Sequence, residues 1–197
     1  MNKSDVLAGF VFKKLAELNA DCPQSKAALA ILRRGVGKAI ADSPDTWAYV
    51  LADMPEEIAG RYYNGNVTVS ECENAAYTAL TLYAMHRQGN TGAVNNDTEF
   101  GKSLGAMRRA SPNQDGIVRR FNSLISSSDF SEMSYHLRGI IQLMSSSSPV
   151  VGFDYCGLAK DLYFYQFPEH SKDVMLSWGR EFYKEYKTAS KKDIESE

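Results

Sequence analysis

The side chains that could do chemistry are few, and their spacing excludes most of it. His86, His136 and His170 stand singly, none in an H-x-x-x-H pair, and acid–base or metal chemistry needs a partnered site. His86 closes an apolar helical stretch and reads as a helix-end or core-edge residue. Cys22, Cys72 and Cys156 are odd in number, far apart and outside any C-x-x-C or C-x-x-H pair, so they read as reduced, buried thiols. Gly35-Val36-Gly37-Lys38 has the look of a phosphate loop, but Leu32 stands where the first glycine is required and Ala39 replaces the magnesium-binding hydroxyl. It reads as a helix C-cap and turn. Ser127 and Ser147 lie in serine-rich stretches with no elbow, base or oxyanion donors. Adjacent Glu56 and Glu57 diverge on a helix and form a solvated face. No catalytic residue, metal or cofactor is expected, and the chain is not read as an enzyme.

What remains is arginine. Of ten arginines, six form the doublets Arg33-Arg34, Arg108-Arg109 and Arg119-Arg120. The net charge of −2 hides their setting. Residues 26–38 carry a local +4 with no acid, and residues 100–120 another +4 with Asp115 as the one acid, around a block at 39–99 that carries −7. Neighbouring helical residues point about 100° apart, so a doublet cannot bury both members. Arg33 and Arg34 lean away from Leu29 and Leu32, while Arg119 and Arg120 lie outside and beside the stripe Ile117-Phe121-Leu124. Arg138 is displaced from Met133-Leu137-Ile141-Met144. Two uses are open: pairing with nearby acids or helix ends, and gripping phosphate, which guanidinium forks match. Lys38 and Lys102 join the second set by charge pattern alone. No base-reading motif accompanies these cations, so nucleic-acid binding would be independent of sequence. The aromatic run Tyr163-Phe164-Tyr165-Gln166-Phe167 is assigned to packing between helices rather than to base stacking.

These cations must be carried by helices. Leu7, Phe10, Val11, Leu15 and Leu18 make one helical stripe. A second helix is expected from Ser25 to about Arg34. Ser43-Pro44 reads as a cap opening a helix with Trp47, Val50 and Leu51. Ser70-Glu71-Cys72-Glu73 is a capping box before an apolar helix, Ala75 to His86, at the centre of the first bundle. The segment 62–69 reads as a loop rather than a hairpin, and 89–97 as a polar loop. Further helices are expected at about 103–109, after Ser111-Pro112, after Asp129 with Glu132, at 154–167, and around Met175, Trp178, Phe182 and Tyr186. Residues after Lys187 should fray. The fold class is therefore all-α, two small helical bundles in series, 1–110 and 111–197 with a polar tail. No apolar run nears the roughly 18 residues of a membrane span, and the first residues lead into an amphipathic helix rather than an export signal. A cytoplasmic address away from membranes follows as the expectation.

Several segments, in order, resemble a known family: Leu32-Arg33-Arg34-Gly35, Thr46-Trp47, Ala79 to His86, Gly101 to Arg109, Val118-Arg119-Arg120-Phe121, His136-Leu137-Arg138-Gly139, Gln142-Leu143, Asp154-Tyr155, Leu158-Ala159, Asp161-Leu162 and the late Trp178. Together, over about residues 28 to 186, they resemble the CasB family, the small subunit of the type I-E CRISPR Cascade complex. The resemblance implies a non-catalytic protein of two helical bundles, usually present as two copies beside the guide-RNA-bearing backbone. It implies partners among the other Cascade subunits, guide RNA and target DNA, where the displaced strand is held and the R-loop stabilised. Carried over position by position, it assigns nucleic-acid contact to Arg33, Arg34, Arg108, Arg109, Arg119, Arg120 and Arg138. Two departures stand out: the stretches 62–69 and 89–97 are expanded, and Glu169 to Lys172 is less basic than in relatives. Two other readings use the same residues, a purely structural protein–protein scaffold and an unrelated helical adaptor.

Overall fold

A computed structural model describes residues 2–90 and 92–184. The regular secondary structure of the described residues is almost wholly helical, as the periodicity predicts. The helices are α1 (Lys3–Asn19), α2 (Pro23–Gly35), the single turn α3 (Trp47–Val50), α4 (Glu71–His86), α5 (Phe100–Ala110), α6 (Gln114–Ile125), α7 (Phe130–Ser145), α8 (Tyr155–Tyr165) and α9 (Pro168–Tyr183). Tyr186 and the expected frayed tail lie outside the described residues.

The capping signals act where their geometry allows. Ser70 Oγ accepts from the Glu73 N–H at 3.0 Å while the Glu73 carboxylate accepts from the Ser70 N–H at 2.9 Å, closing the box that opens α4. Asp129 Oδ1 accepts from the Glu132 N–H at 2.8 Å and opens α7. Hydrogen bonds from the Ser128 backbone and hydroxyl hold the Glu132 carboxyl below its usual range.

Other signals are overridden. Ser43-Pro44 opens only a 3-10 turn, Pro44–Thr46, running into α3. Ser43 makes no cap bond there, and its hydroxyl instead lies within hydrogen-bond distance of the Tyr77 hydroxyl, at 2.9 Å. Asp53, at φ 59°, follows α3 within three residues. Trp47 is not core: it is 42 % exposed, held by its indole N–H on the Ile40 carbonyl at 2.7 Å. Asn113, not Ser111, caps α6, its side chain accepting from the Gly116 N–H. The segment expected as a loop at 62–69 is a two-stranded antiparallel hairpin, β1 (Arg61–Tyr63) with β2 (Asn66–Thr68), Tyr62 opposite Val67. Its turn places Asn64 at φ 49° and Gly65 at φ 81°, the left-handed pair that an Asn-Gly turn supplies.

Packing centres on α4, which touches α1, α2, α3, α7 and α8. Its Ala75, Ala76, Ala79, Leu80 and Ala84 are fully buried, and the small alanines let neighbours approach closely. Helices on both sides of residue 110 share one buried cluster, because α1 also packs on α8, and α5 on α9. An aromatic column runs through it. Phe153 stacks on Tyr155 at 4.4 Å and meets Phe100 edge-on at 5.3 Å, and Phe100 in turn meets Trp178 at 5.1 Å. The long connection before α5 is tied to this column: the Asn96 N–H bonds the Phe153 carbonyl, the Asp154 N–H bonds the Thr98 carbonyl, and Val94 is buried. The aromatic run of α8 serves packing, with Tyr165 buried and its hydroxyl donating to the Ser127 carbonyl at 3.2 Å.

Candidate nucleic-acid interface

The end of α2 shows how the sequence builds the basic face. Gly35 is required because a Cβ there would stand 2.7 Å from the Tyr77 hydroxyl, which donates to the Gly35 carbonyl. Gly37 is required by its φ of +80°. The tight turn between them presents exposed Lys38, whose N–H bonds the Gly35 carbonyl at 3.0 Å. The sequence that imitates a phosphate loop is thus a helix exit shaped by Tyr77. Arg34 is exposed and Arg33 half-buried in the last turn of α2.

Against this turn lies α7. Arg138 Nη1 stands 3.0 Å from the position a Gly37 Cβ would occupy, and Lys38 and Arg138 line one groove of about 310 Å³. Gly139, the next residue, is overlain by Arg120 of α6, whose Nη1 is 3.8 Å from its Cβ position. Arg120 in turn lines a second groove, about 730 Å³, with Lys102 and Arg109 of α5 over buried Met107 and Ile117. Lys102, Arg109, Arg120, Arg138 and Lys38 therefore succeed one another across α5, α6, α7 and the exit of α2. Arg119 is exposed beside Arg120.

Arg108 is placed differently. Its guanidinium lies 5.1 Å from the Phe182 ring centre and 5.6 Å from that of Tyr183, with Nε buried. Arg109 diverges from it, as adjacent helical residues must, and donates Nη1 to the Lys184 carbonyl at 3.0 Å.

Few of the described cations are paired with carboxylates. Ion pairs among the described residues join Lys14 to Glu17 and Asp53, Lys26 to Asp21, Lys160 to Asp5 and Lys184 to Glu181. No described carboxylate lies within 4.0 Å of Arg33, Arg34, Lys38, Arg119, Arg120 or Arg138.

Several other titratable groups are tied into the fold. His86 is fully buried, deeper than the helix-end position expected of it, with Nδ1 3.0 Å from the Tyr155 hydroxyl and its ring stacked on Phe153. Burial pushes its pKa down to about 4. Cys72 is buried, and burial raises its thiol to about 11, as it does for half-buried Cys156. Cys22 is not buried as expected: it is half-exposed and caps α2, its sulfur accepting from the Ser25 N–H at 3.4 Å. No group of three His, Cys, Asp or Glu among the described residues could hold a metal ion. No helix among them is long and apolar enough to cross a membrane.

One residue escaped the sequence reading. Tyr135 of α7 is 71 % exposed, one turn before Arg138 and lining the same groove as Arg138 and Lys38. The signal was available, since Tyr135 falls off the stripe Met133-Leu137 on the side that carries Arg138.

The profile of one family, CRISPR-associated protein Cse2, matches residues 28–183. Among solved structures, CasB from Thermobifida fusca is 26 % identical with a TM-score of 0.73, over 91 % of this chain and 98 % of that one. CasB from Thermus thermophilus is 22 % identical with a TM-score of 0.61, over 93 % and 99 %. CasB from M. ruber is 18 % identical with a TM-score of 0.57, over 90 % and 92 %. The latter two likenesses are of fold alone. No curated protein sequence matches the chain.

Proposed function

The chain belongs to the CRISPR-associated Cse2 (CasB) family, and from that premise we propose that it is the non-catalytic small subunit of a type I-E Cascade complex that steadies opened target DNA by gripping nucleic-acid backbone. One observation carries the reading: a succession of cations across α5, α6, α7 and the exit of α2, of which Lys38, Arg120 and Arg138 have no carboxylate within ion-pair distance. Lys38, Lys102, Arg109, Arg120 and Arg138 form the track. Arg33, Arg34 and Arg119 stand beside it, and ring-stacked Arg108 supports it from behind. Phosphate is the partner such guanidinium groups fit. Opening a target nearly balances duplex lost against heteroduplex gained, so modest backbone contacts to the displaced strand tip it. The partners are the other subunits, guide RNA, target DNA and a second copy of the chain. The setting is cytoplasmic, away from membranes.

Alanine at Arg33/Arg34 or at Arg119/Arg120 should lower the affinity of the assembled complex for target DNA at moderate salt, while the chain stays folded and co-purifies. Unchanged affinity with normal assembly contradicts the reading. Variants that fold but fail to co-purify favour the scaffold, in which these arginines meet acidic patches such as the −7 block at 39–99. Family membership displaces the unrelated adaptor.

A further inference from the structure

We infer that the groove between α7 and the exit of α2 takes an unpaired nucleobase, stacked on Tyr135, with the adjoining phosphate held by Arg138 and Lys38. This rests on the backbone-gripping role proposed above and adds base stacking to it, hence a preference for single over double strands.

The exposure of Tyr135 is the starting point. An aromatic ring left 71 % in water forfeits most of the apolar burial that makes tyrosine useful in a fold. Of the other large exposed apolar groups, Phe12 lies on α1 and Tyr62 and Val67 on the hairpin, while Tyr183 packs on Arg108 and Trp47 is held on the Ile40 carbonyl. Tyr135 instead shares its groove with two cations, three residues before Arg138 on the same helix. The ring is also held from one side: the His136 imidazole meets it edge-to-face at 5.3 Å and 75°. Edge contact from a neighbour leaves a π-face available.

The rest of the groove fits a nucleotide. Its volume, about 310 Å³, is at the small end of ligand pockets, roughly 300–1,000 Å³. That suits one base better than a peptide helix. No carboxylate lines it. Ser134 also lines the groove, and its buried hydroxyl has no hydrogen-bond partner among the described residues. A positively charged groove beside an exposed aromatic platform is the arrangement by which single strands are held without regard to sequence, each stacked base contributing about 1–3 kcal/mol.

The test uses the full-length chain and a labelled oligothymidylate at low ionic strength, read by fluorescence anisotropy. The probe is compared with the same strand in a duplex and the same strand carrying abasic sites. Tyr135→Ala should weaken single-strand binding about five- to hundredfold and leave duplex binding unchanged, whereas Tyr135→Trp should retain it. Abasic sites should weaken binding to the wild-type chain and have no further effect on Tyr135→Ala. If Tyr135→Ala binds the single strand like wild type while Arg120→Ala and Arg138→Ala lose affinity, the stacking site is overturned and the backbone track stands. If the arginine variants also bind like wild type, or the wild-type chain does not bind the strand, the stacking site falls as well, and the backbone grip is judged separately by target-DNA binding of the assembled complex.

Discussion

Asp161 and Trp178 illustrate how single residues divide between fold and function. Both stand in the ordered segments that resemble the family, and both are structural here: the Trp178 indole N–H donates to Asp161 Oδ2 at 2.6 Å, joining α8 to α9. Burial raises the Asp161 carboxyl from 3.8 to about 6, against the pull of that hydrogen bond. The folded chain therefore holds this proton more tightly than the unfolded chain. Its stabilising effect is full below about pH 4 and is lost as pH rises through about 6. Asp161→Asn keeps an oxygen acceptor for Trp178 and cannot ionise. It should raise stability above pH 7 by about 1–2 kcal/mol, discounted for the carboxylate's partial contact with water, and leave it unchanged below pH 4. Thermal melts across pH check this, and destabilisation at neutral pH would show that the indole needs a charged acceptor. The exposed arginines Arg34, Arg119 and Arg120 are proposed for the other class: their exposure brings the fold little, and removing them should leave its core intact.

Helix α4 and the hairpin before it show what was legible in the chain and what was not. The Ser70–Glu73 box, the Asp129 cap and the apolar stripes were all readable, because each is a contact within one turn of helix whose residues dictate it. Ser70→Ala removes the acceptor for the Glu73 N–H and also the bond from its hydroxyl to the Ile58 carbonyl, 2.6 Å long, which ties the chain before the hairpin to the start of α4. The variant should lose about 1–2 kcal/mol, seen as a lower urea midpoint; an unchanged midpoint would mean the box is ornamental. The hairpin was readable only in its Asn64-Gly65 turn, since its strands are three residues each and mostly exposed, too short to alternate against a core. Ser43-Pro44 misled because Tyr77, distant in sequence, claims the serine hydroxyl that a cap would use. His86 misled in the same way: its neighbours Phe153 and Tyr155 come from the far side of the chain. For the basic face, the doublets and Lys38 were visible from charge alone. That Arg108 would turn under two aromatic rings, and that Tyr135 would share a groove with Arg138, depended on how α5, α7 and α9 pack.

Taken whole, the molecule separates its charges while sharing its core. The helices interleave around α4, so α5, α6, α7 and the exit of α2 hold the cations of residues 26–38 and 100–120 in fixed relation. The acidic block at 39–99 leaves the chain at −2 overall. A chain with so little net attraction for a polyanion gains strand affinity from local geometry and from the effective concentration that an assembly provides. A backbone grip has a signature that scaffolding contacts lack, since each phosphate neutralised releases counterions. The decisive measurement is the salt dependence of target-DNA binding by the assembled complex, with the wild-type chain and with Arg120→Ala/Arg138→Ala. If the track holds a displaced single strand, the slope of log affinity against log salt should become shallower by about 0.7 for each contact removed, with assembly intact. Parallel slopes and equal affinities in a fully assembled complex would contradict the account.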